Sequence, residues 1–75
     1  MKDIGVVKEY DGFYGKIENL KGDNYILLKK EIMGNDQINK LDAVSFVPEI
    51  YKKNDIDEKI ARFVKKLEKN NIKVR

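Results

Sequence analysis

Several residue types on which common sites depend are missing from this 75-residue chain, or nearly so. There is no cysteine and no histidine, which excludes disulfides and zinc sites of the Cys/His type. Serine occurs once, at Ser45, and without a histidine to activate it we do not expect it to be a nucleophile. The lack of cysteine is typical of a reducing compartment.

Long apolar runs are also missing. A membrane-spanning helix needs about 20 consecutive apolar residues, and no stretch of the chain approaches that length. The first residues are interrupted by charge, so they do not resemble a signal peptide. We therefore expect a cytoplasmic protein that forms a single small domain over residues 1–75.

Motifs of the common enzyme classes are absent as well. The sequence contains neither a P-loop nor a dinucleotide-binding fingerprint. The densest acidic group is Asp55, Asp57 and Glu58, which is more typical of a helix cap or a solvated loop than of a catalytic pair. We expect a binding protein that is not an enzyme and uses no cofactor and no metal.

Positive charge is concentrated at the C-terminal end. Residues 52–75 contain nine Lys and Arg against four Asp and Glu, a net charge of +5, while the whole chain carries +3. The first 51 residues therefore sum to −2. A basic segment of this kind indicates either a polyanionic partner or a solvated lysine-rich tail.

Short runs of β-branched and aromatic residues separated by turn residues predict a meander of strands. Asp11-Gly12 and residues 21–24 are turn signals. Pro48 has no N–H to donate, so we expect it at an edge, a bulge or the end of its strand. Strands are predicted over 4–10, 13–19, 25–29 and 42–51, with loops over 33–40 and 52–57.

The last third of the chain has two interpretations. Helical spacing is followed by Ile56, Ile60, either Phe63 or Val64, and Leu67, which predicts an amphipathic helix over residues 57–69. The same residues can also form a fifth strand near 59–66.

Five short motifs follow one another in order: Gly-Val-Val-Lys-Glu-Tyr-Asp at 5–11, Tyr-Gly-Lys-Ile at 14–17, Gly-Asp-Asn-Tyr-Ile-Leu-Leu at 22–28, Val-Ser-Phe at 44–46 and Ala-Arg-Phe-Val-Lys-Lys-Leu at 61–67. Together with Ile32 and Leu41, this ordered set resembles the bacterial cold-shock proteins. The resemblance implies an all-β, five-stranded OB-like barrel that binds single-stranded RNA or DNA. It favours a strand near 59–66, with the C-terminal helix as the alternative. The predicted core is Val7, Ile17, Tyr25, Leu27, Ile32, Leu41, Val44, Phe46, Ala61 and Val64.

The chain departs from the family at the aromatic platform on which bases stack. Glu9 stands at the tryptophan position of the first strand, and Lys16 replaces a platform aromatic of the second strand. On the third strand Ile26, Leu28 and Lys29 replace aromatic residues and a histidine. The stacking platform is therefore reduced.

From this resemblance we predict weak binding of single-stranded RNA or DNA with little sequence preference. The predicted phosphate contacts are Lys8, Lys16, Lys29, Arg62, Lys65 and Lys66. The predicted stacking residues are Tyr10, Phe13 and Tyr14, although each of them could instead pack within the barrel.

The alternative is a protein-interaction module without nucleic-acid binding, of which a homodimer is one form. Ile26 and Leu28 are predicted to face outward and would supply its apolar centre. A loop or the C-terminal segment could instead cover these two side chains.

Overall fold

The computed structural model describes residues 1–67, which form five β-strands and one short 3-10 turn. The strands close into a barrel in the order β1-β2-β3-β5-β4. This arrangement confirms the predicted all-β, OB-like fold. The elements are β1 (Asp3–Tyr10), β2 (Tyr14–Asn19), β3 (Asn24–Leu28), the 3-10 turn (Lys29–Glu31), β4 (Ala43–Lys53) and β5 (Ile56–Lys66).

The seam between β3 and β5 has the fewest paired residues of all the strand neighbours in the barrel. The other neighbouring strands pair antiparallel over four or more residues, whereas β3 and β5 pair in parallel only at Ile26 and Ile60. An isolated bridge between Ile32 and Val64 extends this contact beyond the 3-10 turn. Side-chain contacts are therefore needed to hold the seam.

The fifth strand is confirmed, and the helix prediction is wrong for residues 57–66. A bulge explains why the sequence shows helical spacing. Arg62 pairs with Val47 and Lys65 with Ser45, so two residues of β5 lie opposite the single residue Phe46, one more than in a regular ladder. This bulge turns both Ala61 and Val64 inward, three positions apart. The end of the predicted helix, residues 68 and 69, lies outside the described residues, as does the end of the basic segment 52–75.

The predicted charged loop over 52–57 is also wrong, because β4 and β5 continue through it as a long two-stranded ribbon. Asn54 and Asp55 both have positive φ angles, of 53° and 65°. Two left-handed residues between paired strands make a tight hairpin turn, which asparagine and aspartate tolerate well. Pro48 lies in the part of β4 that pairs only with β5, as expected for an edge position.

Nine apolar side chains fill the barrel, and eight of them were predicted. The ring centroids of Tyr25 and Phe46 lie 5.1 Å apart at its centre. Ile38 was missed because it lies in a polar loop. Leu41 was wrongly assigned to the core, since it is exposed and has a φ of 74°. Ile32 is only partly buried against the core.

The turn between β1 and β2 is fixed by one carboxylate. Asp11 Oδ1 accepts hydrogen bonds from the backbone N–H groups of Phe13 and Tyr14, both at 2.9 Å. These bonds favour the ionised carboxylate, and they lower the pKa of Asp11 below its ordinary value. The turn therefore places two aromatic residues at the start of β2.

A glycine permits the close approach of β1 and β2. A Cβ atom on Gly15 would lie 2.1 Å from the Glu9 carbonyl oxygen and 2.8 Å from Tyr10 Cα. Both are backbone atoms and cannot move without separating the strands. At Gly34 the space is open, and only its φ of +67° disfavours a side chain.

We predict that Gly15→Ala destabilises the domain by about 1–3 kcal/mol or more, because it overpacks two paired strands. Gly34→Ala is the matched control. It should lower the free energy of unfolding by only about 1–2 kcal/mol, which is the cost of placing an L-residue in the left-handed region. Urea denaturation of both variants measures the difference. Equal losses would contradict the importance of this close approach.

We also predict that Asp11 contributes to acid sensitivity. Because its pKa is lowered in the folded state, it stabilises the fold at neutral pH, and this contribution is lost as pH falls through the folded-state pKa, below the ordinary value of 3.8. In Asp11→Asn, whose amide oxygen can accept the same hydrogen bonds without charge, Tm should fall less between about pH 5 and pH 2 than in the wild type. A fall identical to that of the wild type would show that Asp11 has no such role.

Candidate nucleic-acid interface

The candidate interface is the outer surface of β2, β3 and β5. Because Ile17 and Leu27 point into the barrel, their strand neighbours point outward. Tyr14 pairs with Leu28 and Lys16 with Ile26, so these four side chains lie on one face. The sequence-based prediction that Ile26 and Leu28 face outward is therefore consistent with the register.

An aliphatic patch lies at the centre of this face, formed by Ile26, Leu28 and Ile60. All three side chains are half-buried, and Ile26 pairs directly with Ile60 across the seam. Leu28 and Ile60 also line a shallow groove with Tyr51 and Arg62. In residues 1–67, no segment covers the patch completely, since each of its members keeps part of its surface exposed.

The most exposed aromatic group on this side of the barrel is the pair Phe13 and Tyr14. Phe13 is 69% exposed and Tyr14 is 56% exposed. Lys29 donates its backbone N–H to the Phe13 carbonyl at 3.0 Å, and its Nζ lies 5.1 Å from the centre of the Phe13 ring. Phe13, Tyr14 and Lys29 are called the aromatic turn below.

Tyr10 is next to the aromatic turn but is less accessible. It packs against the core, and burial is the main reason why the pKa of its hydroxyl is raised, with the negative charge of Asp11 adding to the effect. Tyr10 and Tyr14 line one small surface groove together with Glu9 and Asp11. The structure therefore brings the three predicted stacking residues together at one end of the barrel.

Some lysines on or next to the candidate interface are paired with carboxylates. The Nζ atom of Lys8 lies 3.5 Å from Glu18, and that of Lys59 lies 3.9 Å from Asp23. Such exposed pairs contribute little to stability, about 0–1 kcal/mol, but they reduce the local positive potential. Lys8 is also the bulged residue of β1, since Val7 and Glu9 pair with consecutive residues of β2.

Three of the predicted phosphate contacts remain without a salt bridge among residues 1–67, namely Lys16, Lys29 and Lys65, and the first two of these lie on or beside this face. Lys16 lies opposite Glu9 in the pairing of β1 and β2. Lys29 lies beside Phe13 in the aromatic turn. Positive charge on the face is therefore moderate and is concentrated near the exposed aromatic residues.

Arg62 is held in a network of side chains at the seam. Its guanidinium donates to Glu31 and Glu49, each at 2.8 Å, and to the Tyr51 hydroxyl at 3.0 Å. Tyr51 also donates to Glu49. The hydrogen bonds that Arg62 donates to Glu31 and Glu49 raise its pKa, and the bond that Tyr51 donates is the main reason why the pKa of Glu49 is lowered. Arg62 thus joins the 3-10 turn to β4 across the seam.

Lys65 and Lys66 lie away from the aromatic turn. Lys66 pairs with Val44, which in turn pairs with Gly5, and Gly5 lies about 17 Å along β1 from Tyr10. The Lys66 Nζ atom lies 3.5 Å from Asp42 and donates to the Gln37 carbonyl at 3.2 Å. The structure does not bring these two lysines to the aromatic turn.

Three residues near the seam were not predicted as surface residues of the barrel, and two of them are exposed while the third, Ile60, is half-buried. Tyr51 and Ile60 were assigned to a strand end and to an ambiguous segment, so their positions on this face could not be deduced. Phe63 was assigned to the apolar side of a helix, whereas it is 53% exposed. The one available signal was Asn54-Asp55, whose residue types favour the tight hairpin turn that extends both strands.

The described residues contain no cluster of acidic side chains that could hold a metal ion. Residues 1–67 also contain no helix that is long and apolar enough to cross a membrane.

Comparison with known proteins supports the fold. No protein-family model matches the chain, and no curated protein matches it. Among solved structures it is similar to Drosophila Unr CSD456, a cold-shock domain structure, with a TM-score of 0.74 and 15% sequence identity. The match covers 97% of this chain and 29% of the Unr chain, so this chain spans less than a third of that structure's length. The five-stranded barrel is therefore an OB fold of the cold-shock type.

Proposed function

We propose that this domain binds single-stranded RNA or DNA weakly and with little sequence preference. The observation that supports this proposal is the aromatic turn, which presents Phe13 and Tyr14 side by side to solvent with Lys29 beside them. Bases stack on exposed aromatic rings whatever their identity, because every base has a π face. The Asp11 hydrogen bonds hold the turn in place before a ligand arrives.

The size of the aromatic surface supports weak binding. Each base stacked on an aromatic ring contributes about 1–3 kcal/mol, so two rings supply about 2–6 kcal/mol. Together with a few phosphate contacts, this corresponds to dissociation constants between the millimolar and micromolar ranges. Tyr10 adds at most a ring edge, since it is half-buried against the core.

Lys16 and Lys29 are the first candidates for phosphate contacts, because neither is in a salt bridge with another described residue. Lys8 and Arg62 would exchange a carboxylate for a phosphate, which reduces their net contribution. For about three phosphate contacts on a single strand, log K should fall with log salt with a slope near −2.

In this role the domain is a binding module that acts in the cytoplasm without catalysis. Ser45 is half-buried in β4 and faces no histidine, since the chain has none. The prediction of a single domain over residues 1–75 stays a prediction, because residues 68–75 lie outside the described part of the chain.

The first test is a titration of fluorescent oligo-dT and oligo-U, followed by anisotropy at low and moderate salt. We expect salt-sensitive binding and a loss of about fivefold or more in Tyr14→Ala, the smallest effect expected from one lost stack. Leu20→Ala is the control, since Leu20 is 80% exposed at the other end of β2. No binding by the wild type at low salt, or equal losses in both variants, would contradict the proposal.

The aliphatic patch favours a second candidate, a protein-interaction module. Three partly exposed aliphatic side chains at the centre of a charged face are typical of a protein contact. If this candidate is right, Ile26→Asp combined with Leu28→Asp should abolish self-association in light scattering, or the binding of a purified partner. Unchanged association in this double variant would exclude the patch, and Lys16→Asp serves as a control for added negative charge on the same face.

A further inference from the structure

Phe63 has an unusual backbone conformation for a large residue. Its φ angle is 52°, in the left-handed region that bulky L-residues rarely adopt. Its side chain is nevertheless 53% exposed, so burial in the core does not compensate for the backbone strain. Strained backbone positions of this kind often occur at binding sites.

The packing of the barrel explains why residue 63 has a left-handed backbone conformation, but it does not explain why this residue is a phenylalanine. The bulge in β5 is needed because it turns both Ala61 and Val64 inward. The residue between Arg62 and Val64 must therefore adopt an irregular conformation, and asparagine or glycine would do so with less strain. The Phe63 ring is largely exposed, so it takes no part in the core packing that the bulge makes possible.

Phe63 forms a second aromatic–cation pair that resembles the aromatic turn. The Arg62 guanidinium carbon lies 5.5 Å from the Phe63 ring centre, and the Lys29 Nζ atom lies 5.1 Å from the Phe13 ring centre. The guanidinium is also bonded to Glu31 of the 3-10 turn at 2.8 Å. The network at the seam thus holds the cation beside the ring.

A short segment connects the two aromatic–cation pairs. Lys29 donates its N–H to the Phe13 carbonyl at 3.0 Å, and Met33 donates its N–H to the Val64 carbonyl at 2.8 Å. The five residues from Lys29 to Met33 are separated by four residue-to-residue steps, which span at most about 14 Å. The backbone therefore places Phe13 at one end of the segment 29–33 and Val64, the neighbour of Phe63, at the other.

Exposed lysines lie along the same path. Lys30 is in the 3-10 turn, and Lys65 follows Phe63 by two residues in β5. Both are exposed, and neither is in a salt bridge with another residue of the described part of the chain. Two aromatic rings with lysines between and beyond them are the arrangement that a single strand of nucleic acid recognises.

We propose that Phe63 is a second base-stacking residue, and that a single-stranded nucleic acid runs from the aromatic turn across the 3-10 turn to Phe63. This inference rests on the proposed function and extends it, since it lengthens the binding path and gives Lys65 a phosphate contact there. The path leaves the sheet face at the 3-10 turn, so the reduced platform of β2 and β3 is supplemented by a residue of β5.

The test uses the full chain and two oligo-dT probes. A probe of about eight nucleotides lies within the range that one OB fold covers, whereas one of about three nucleotides is shorter than that range. We expect Phe63→Asn to weaken binding of the longer probe by about fivefold or more and to leave the shorter probe unaffected. Its Tm should equal or exceed that of the wild type, because asparagine tolerates the left-handed region.

Leu41→Asn is the matched control. Leu41 is also a large exposed residue in the left-handed region, with a φ of 74° and 68% exposure, but it carries no ring. This variant should relieve similar strain without changing binding of either probe.

The outcomes separate the two proposals. If Tyr14→Ala weakens binding and Phe63→Asn binds the longer probe like the wild type, the extended path is wrong and the proposed function stands. A large fall in Tm for Phe63→Asn would assign the ring a structural role and would also overturn the inference. If the wild type binds neither probe at low salt, both proposals fail.

Discussion

The closure of the barrel at the seam between β3 and β5 is the constraint on which the other features depend. Only Ile26 and Ile60 pair there, so the seam relies on the bridge of Ile32 with Val64 and on the Arg62 network. A guanidinium shared by two carboxylates on different elements can hold these elements together where backbone bonds are few. The same seam carries the aliphatic patch and lies between the two aromatic–cation pairs.

This closure has consequences for the electrostatics of the surface. Among the described residues, Arg62 joins elements, and Lys8, Lys59 and Lys66 are paired with carboxylates, so four of the sixteen Lys and Arg side chains of the chain are neutralised locally. The net charge of the chain is also only +3, so the positive charge available to a nucleic acid is modest. Stacking on exposed rings becomes the larger part of the proposed interaction, and phosphates are left to a small number of lysines.

Much of the fold and part of the site could be predicted from the sequence. Alternation of apolar residues located both ends of four strands to within two residues, and it identified eight of the nine core side chains of the described residues. Tyr14, Lys16, Ile26 and Leu28 share one face as expected, because alternation in a strand decides which side chains point outward. The predicted loop at residues 52–57 and the alternative helix were wrong for the same reason. Both segments belong to the long β4–β5 ribbon, which depends on pairing between the two strands.

The sequence by itself determined the first four strands, the turns at Asp11 and Gly22, most of the inward positions and the absence of cysteine and histidine chemistry. These features depend on neighbours along the chain, or on composition alone. Only the tertiary structure decided that β5 is a strand with a bulge, that Arg62 is held by two acids, and that Phe63 is displayed beside it. The spacing of Ala61 and Val64 fits a helix turn as well as a bulged strand, and the choice between them depends on backbone hydrogen bonds to β4, a segment well separated in sequence.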